Sequence, residues 1–252
     1  MNYRKMLTAR TPHWFDFIAP EDGSDTTEIR LDGVVGGSFW EEGTSARDFI
    51  AALNSVTTPN ITLRINSPGG MVFEGFAIYN ALKSSGRHIR VIVDGIAASI
   101  AAVIAMAGDE IVMPEASYLM IHYPWTTLAG NAEKLIAEAA TLDELGKTIE
   151  KVFADRSGQP LEKIQALMKG RDGADGTFIS SDEALSLGFC TEVEANKTAA
   201  AACAGLDVYS LIPPQLRTRD SAGQPPKEDN PDSYASVFSE FINHNHKEVN
   251  HD

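Results

Sequence analysis

An alternation of short apolar runs with segments of helical periodicity constrains this chain more than any other feature. Ile61–Asn66 and His88–Val93 are β-branched, apolar runs of strand length. Between them, Val72–Lys83 places Val72, Phe76, Tyr79 and Leu82 at spacings of three and four, which predicts a helix. The rhythm continues with a helix over Ala97–Ala107, short strands at Ile111–Met113 and Tyr118–His122, and a long helix over Asn131–Arg156. Leu135, Ala139, Leu142, Leu145, Ile149 and Val152 form the apolar stripe of that long helix, with Gly158 and Pro160 as its stop signals. Helices at Leu161–Met168 and Asp182–Leu187, and strands at Phe178-Ile179 and Phe189–Val193, close the series. Upstream, Glu28–Val35 alternates as a strand, and Thr44–Asn54 reads as a helix capped at Thr44 or Ser45. Strands separated by helices pair in parallel through right-handed crossovers, so the predicted class is α/β. Ser67-Pro68-Gly69-Gly70 and Asp94-Gly95 read as turns that break strand from helix.

Composition divides the chain into three parts. Residues 1–24 form a polar N-terminal arm anchored by Trp14, Phe15 and Phe17, and residues 25–195 form the folded domain. Residues 196–252 read as a linker and a largely disordered tail, from the low-complexity run Ala199–Ala204 through the pairs Pro213-Pro214 and Pro225-Pro226. Tyr234–Ile242 is a short amphipathic segment within it, and His244, His246 and His251 lack a scaffold that would make them a metal site. The formal net charge of −14 disfavours nucleic acid as a partner. Two cysteines, Cys190 and Cys203, do not make a disulfide framework, and a reduced, cytoplasmic setting is expected. Arg4, Lys5 and Arg10 precede no apolar core, so no secretory signal is expected. The most apolar stretch, Gly95–Gly108, is too short to span a bilayer and reads as a buried helix, so no membrane association is expected.

Four features carry chemistry. Ser99 follows a strand and opens a helix, a place that exposes a hydroxyl beside a helix N-terminus; the plain alternative is a helix N-cap. Ser67–Gly70 also joins strand to helix, and paired glycines let backbone N–H groups converge on an anion. His122 ends an apolar strand, where sites of parallel sheets gather, and an imidazole serves as base and then acid near neutral pH. Away from the termini, the other histidine is His88, at the start of its strand and so at the wrong end. Asp172 and Asp175, in the loop Gly170–Gly176, are both candidates for an acid that orients an imidazole.

The combination resembles the Clp protease catalytic-subunit family. Ile65-Asn-Ser-Pro-Gly-Gly70, Asp94-Gly-Ile-Ala-Ala-Ser-Ile100 with Ala107-Gly108, and Met120-Ile-His122 occur in that family's order. Ser157–Ile164, Phe178–Ala184 and Leu187-Gly-Phe189 extend the likeness, which covers residues 27–194. The resemblance implies a crotonase-like fold of repeated ββα units with a long handle helix. It implies a serine endopeptidase with Ser99 as nucleophile, His122 as general base and the N–H groups of Gly70 and Ile100 as oxyanion hole. The family's acid sits two residues before the aromatic aligned with Phe178, where this chain has Gly176; Asp175 lies one residue earlier and Asp172 is the reserve. No metal or cofactor is implied. The implied partners are a polypeptide substrate and further copies of the chain in a homo-oligomeric ring. Ile29–Phe39, with Gly-Gly-Ser-Phe-Trp at 36–40, and Phe49–Asn54 resemble the prophage branch, whose members are head maturation proteases trimming capsid and scaffold proteins. The competing readings are an acyl-CoA enzyme of the wider crotonase superfamily, a membrane-linked Ser-Lys peptidase, and a catalytically degenerate ring component serving as scaffold or adaptor.

Overall fold

The computed structural model describes residues 14–20, 23–36, 45–170 and 175–195. Along them run β1 (Phe15–Ile18), β2 (Thr26–Val35), α1 (Ala46–Ser55), β3 (Asn60–Gly70), α2 (Val72–Ser84), β4 (His88–Ala98) and α3 (Ile100–Ala105). Then come β5 (Glu110–Pro114), β6 (Tyr118–Ile121), α4 (Ala132–Ser157), α5 (Leu161–Lys169), β7 (Thr177–Ser180), α6 (Ser181–Leu187) and β8 (Glu192–Glu194). The fold is the mixed α/β architecture expected of the sequence. Strand order is β1-β2-β3-β4-β5-β8, parallel throughout except that β1 joins β2 antiparallel. The sheet forks at β4. Its first half pairs with β5 through Arg90–Ile92, its second half with β6 through Ile96–Ala98, and β6 in turn carries β7 antiparallel. At the fork the carboxyl end of β4 exchanges β5 for β6 as its neighbour, while Ala97 still pairs with Ser67 of β3.

Apolar alternation explains the core. β2, β3 and β4 each send every second residue inward, among them Ile29, Leu31, Ile61, Leu63, Ile65, Val91 and Val93, all fully buried. The helices cover that face with Phe49 and Leu53 of α1, Ile78 and Leu82 of α2, and Ile149 and Phe153 of α4. The six residues of α3, Ile-Ala-Ala-Val-Ile-Ala, are all buried, and their small side chains let it sit deep in the core. Trp14, Phe15 and Phe17 pack on Phe49, with the Phe15 and Phe17 ring centroids each 5.3 Å from it. The sheet therefore begins inside the segment read as an arm.

Three sequence expectations change. Ser67–Gly70 is not a turn: β3 continues in extended form through Gly70. Asp94-Gly95 does not break β4, which runs on to Ala98, so the helix predicted from Ala97 begins at Ile100. Gly69 and Gly70 are held by pairing with Val34 and Val35 of β2, and Asp94-Gly95 is bracketed by the pairing of Val93 with β3 and of Ile96 with β6, which overrides their local turn preference. The predicted stripe of α4 packs only in part: its buried residues are Gly146, Ile149, Glu150 and Phe153, whereas Leu135 and Ile136 are exposed. Among the described residues, no helix is long and apolar enough to cross a membrane. Asp172, Cys203 and the tail from residue 196 lie outside the described residues.

Candidate active site

Ser99 stands where β4 hands over to α3. Its backbone has φ 55° and ψ −127°, and it has the one positive φ of a non-glycine among the described residues. Such a conformation costs on the order of 1–3 kcal/mol and persists only where surrounding structure imposes it. Here the Ser99 N–H donates to Met120 O at 2.8 Å, extending the β4–β6 pairing past the end of the strand. Ser99 occupies the N-cap position of α3, yet its side chain makes no capping bond. The hydroxyl turns away from the helix, and Oγ lies 2.7 Å from His122 Nε2.

His122 follows directly on β6, whose register beside β4 pairs Met120 with Ala98. That register brings the two residues together across 23 positions of sequence. The imidazole is buried, 4% exposed. Burial holds its pKa below the usual 6.5, and the negative charge of Asp175 opposes that shift. A neutral ring protonated at Nδ1 presents a free lone pair at Nε2, which accepts the Ser99 hydroxyl proton.

Asp175 Oδ2 lies 4.0 Å from His122 Nδ1, beyond hydrogen-bonding distance, and its side chain is 70% exposed. Gly176, the position aligned with the family's acid, lies against the imidazole's own backbone. A Cβ there would stand 2.5 Å from His122 Cβ and 2.6 Å from Ile121 O, at φ +99°. No side chain fits, so the acid cannot come from that position.

The glycine segment completes the site. A Cβ on Gly69 would meet Ser99 Cβ at 2.6 Å and Ile100 N at 3.3 Å, so β3 passes in backbone contact with the nucleophile candidate. Gly69 N–H donates to Ser67 Oγ at 3.1 Å, and Met71 N–H donates to Val35 O at 3.0 Å on the β2 side. Between them, Gly70 is paired with Val35 while Met71 supplies the N–H bonded to Val35 O, which leaves the Gly70 N–H as a candidate donor. Ile100 N–H opens α3 and, as the first residue of a helix, has no intrahelical acceptor. The sequence points to these two amides only through a family resemblance, and it gives Ser67 no role beyond its place in a motif.

Rival groups fall away on geometry. His88 sits at the opposite end of β4, exposed, beside Asp109 at 3.6 Å and Glu110 at 3.3 Å. Cys190 is buried and its thiol is pushed up to about 11 by burial, so it is no ready nucleophile.

Comparison with known proteins identifies the family. The family model described as Clp protease matches residues 42–197. An ATP-dependent Clp protease proteolytic subunit of Streptococcus pneumoniae strain 70585 is 33% identical over 175 residues, covering 68% of this chain and 85% of that relative. The protein of the same name from strain Hungary19A-6 is 34% identical over 147 residues, covering 56% of this chain and 72% of its own length.

Proposed function

The chain belongs to the Clp protease family, a membership that makes it a serine peptidase, and we propose that Ser99 is its nucleophile, His122 its general base and Asp175 the acid beside the imidazole. The observation that carries this reading is the 2.7 Å approach of Ser99 Oγ to His122 Nε2, with β3 in backbone contact beside it. An acyl-CoA enzyme would place a carboxylate in reach of the reacting atom, and here an imidazole occupies that place.

The substrate lies extended along the Gly69–Met71 segment, pairing backbone to backbone. His122 Nε2 takes the Ser99 proton as Oγ attacks the scissile carbonyl. The carbonyl oxygen becomes negative and is met by the N–H groups of Gly70 and Ile100, each such donor being worth about 3–4 kcal/mol. The imidazolium returns its proton to the departing amine. Water, deprotonated by the same nitrogen, then hydrolyses the acyl-enzyme and restores the hydroxyl. The buried, low-pKa imidazole suits this cycle because it is neutral before attack.

The biological setting we propose is capsid or scaffold processing, supported by the resemblance of Ile29–Phe39 and Phe49–Asn54 to the prophage branch. The active form is a homo-oligomeric ring acting on polypeptides. The names of the pneumococcal relatives state ATP dependence for those proteins.

The test is covalent labelling. A fluorophosphonate probe should modify the wild-type protein at Ser99, and Ser99→Ala should abolish the labelling while its far-UV circular dichroism stays unchanged. Labelling that survives in Ser99→Ala refutes the assignment.

A further inference from the structure

Ser67 is fully buried, and its hydroxyl is engaged twice. It donates to Gly33 O on β2 at 2.6 Å and accepts from Gly69 N–H, two residues along its own strand, at 3.1 Å. It lies where β3 loses register with both neighbours. The β2 pairing slips between Asp32 and Val34, and the β4 pairing slips between Ile65 and Ser67. In an unbroken parallel ladder Gly69 N–H would donate straight to a carbonyl of β2. Between the pairs Asp32–Asn66 and Val34–Gly69, β3 carries two residues, Ser67 and Pro68, against the single Gly33 of β2; the bulge is in β3, and the Ser67 hydroxyl is spliced into the gap as a relay.

The segment beyond the relay needs holding. Gly69 and Gly70 have φ +97° and +153°, and adjacent glycines have wide backbone freedom. The Gly69–Gly70 peptide, whose nitrogen is that of Gly70, is fixed on one side by Ser67 and on the other by the Met71 N–H bond to Val35 O. Bulk cannot replace the clamp, because a Cβ on Gly69 would strike Ser99 and one on Gly70 would strike Val35 O at 2.2 Å.

We propose that Ser67 is a positioning residue for peptide hydrolysis: its hydroxyl, bridging Gly33 O and Gly69 N–H, sets the Gly69–Gly70 peptide so that Gly70 N–H faces the oxyanion formed on attack by Ser99. The inference rests on the assignment of Ser99 and Gly70 made above. Ser67 itself touches neither the substrate nor the reacting atoms.

The experiment compares full-length wild type, Ser67→Ala and Ser67→Cys, with two readouts. One is kcat and KM on a fluorogenic peptide amide that the wild type cleaves. The other is inhibition by the tripeptide aldehyde benzyloxycarbonyl-Leu-Leu-leucinal and by its alcohol. The aldehyde adds to the serine and places an oxyanion in the hole, whereas the alcohol only occupies the cleft. In Ser67→Ala, kcat should fall about 10- to 100-fold with KM within about twofold, short of the loss of a whole donor. Aldehyde affinity should fall in parallel, and alcohol affinity should stay unchanged. Ser67→Cys, with a weaker donor of similar shape, should lie between. With an active wild type, an unchanged kcat or an equal loss for aldehyde and alcohol overturns the role of Ser67. If Ser67→Ala does not fold, Ser67→Cys must show the selective loss, and failure of both to fold makes the hydroxyl structural and overturns the proposal. A wild type that neither cleaves peptides nor takes up the aldehyde at Ser99 overturns the underlying assignment instead.

Discussion

His122 works in a place where its charged form is disfavoured. Burial lowers its pKa and the Asp175 charge raises it, with burial the larger effect. The neutral imidazole is the base, so kcat/KM should rise with pH through an inflection below 6.5 and stay flat above it until other groups titrate. The sign also fixes stability. Unfolded, the ring binds a proton near 6.5; folded, only at lower pH. The folded state is therefore at full strength above about 6.5 and loses stability as pH falls through the lower folded value. A pH–rate inflection above 6.5 would contradict this picture. Asp175 sits 4.0 Å from Nδ1 and is 70% exposed. At that distance in a water-like dielectric its charge is worth roughly a fivefold effect, against a loss of about 10⁴-fold for a buried, hydrogen-bonded triad acid. Asp175→Asn should thus lower kcat/KM only about fivefold and move the inflection to lower pH. A loss of a thousandfold would show that substrate draws the carboxylate into direct contact with the ring.

Helix α4 is tied to the histidine strand by a buried carboxylate. Glu150, 5% exposed, accepts from Tyr123 Oη at 2.5 Å and from Gln165 Nε2 of α5 at 3.0 Å. Burial, followed by the bond to Glu150, pushes the Tyr123 phenol well above its ordinary pKa of 10, so it stays a donor at working pH. Gly146 allows the approach, since a Cβ there would lie 2.9 Å from Tyr123 Cδ1. Glu150→Ala would leave a part-buried hydroxyl and a part-buried amide without this partner, at the low end of about 1–3 kcal/mol each. It should lower the urea midpoint by an equivalent of about 2–4 kcal/mol, and Glu150→Gln should cost less; a change under about 0.5 kcal/mol for Glu150→Ala would contradict the bonding. None of this showed in the sequence, where Glu150 is one charge among many on a long amphipathic helix. The spans of helices α2, α5 and α6 were legible in the sequence, although in α2 the deepest residues are Gly75, Ile78 and Leu82, with Val72, Phe76 and Tyr79 only part-buried. The carboxyl halves of β3 and β4 were not. Ser67-Pro-Gly-Gly and Asp94-Gly are turn sequences by local preference, and only tertiary pairing, with β2 for the first and around its ends for the second, keeps them in strands. The meeting of Ser99 with His122 depends on the fork of β4 toward β6, which no periodicity encodes.

At the scale of the whole molecule, one stretch of exposed apolar surface lies along the first half of α4, besides Met71 and Phe73 at the start of α2. The helix is 26 residues long, yet its buried residues begin at Gly146. Ahead of them stand Leu135, 46% exposed, and Ile136, 70% exposed, and Trp125 in the preceding loop is 60% exposed. A helix that packs only through its second half leaves its first half for another surface. Because the chain belongs to a ring-forming family, the occupant we expect is a second copy of the chain. The formal charge of −14 per chain opposes such assembly, so the contact must be largely apolar and should strengthen as salt screens the repulsion. Leu135→Asp with Ile136→Asp adds two carboxylates where the copies meet and touches nothing in the core. Native mass spectrometry should show the double variant in smaller assemblies than the wild type, with circular dichroism unchanged, and raised salt should shift the wild type toward the larger form. Because α4 reaches His122 through Glu150 and Tyr123, the dissociated variant should also cleave peptides more slowly per chain. An unchanged mass in the double variant would mean that α4 projects for some purpose other than joining copies.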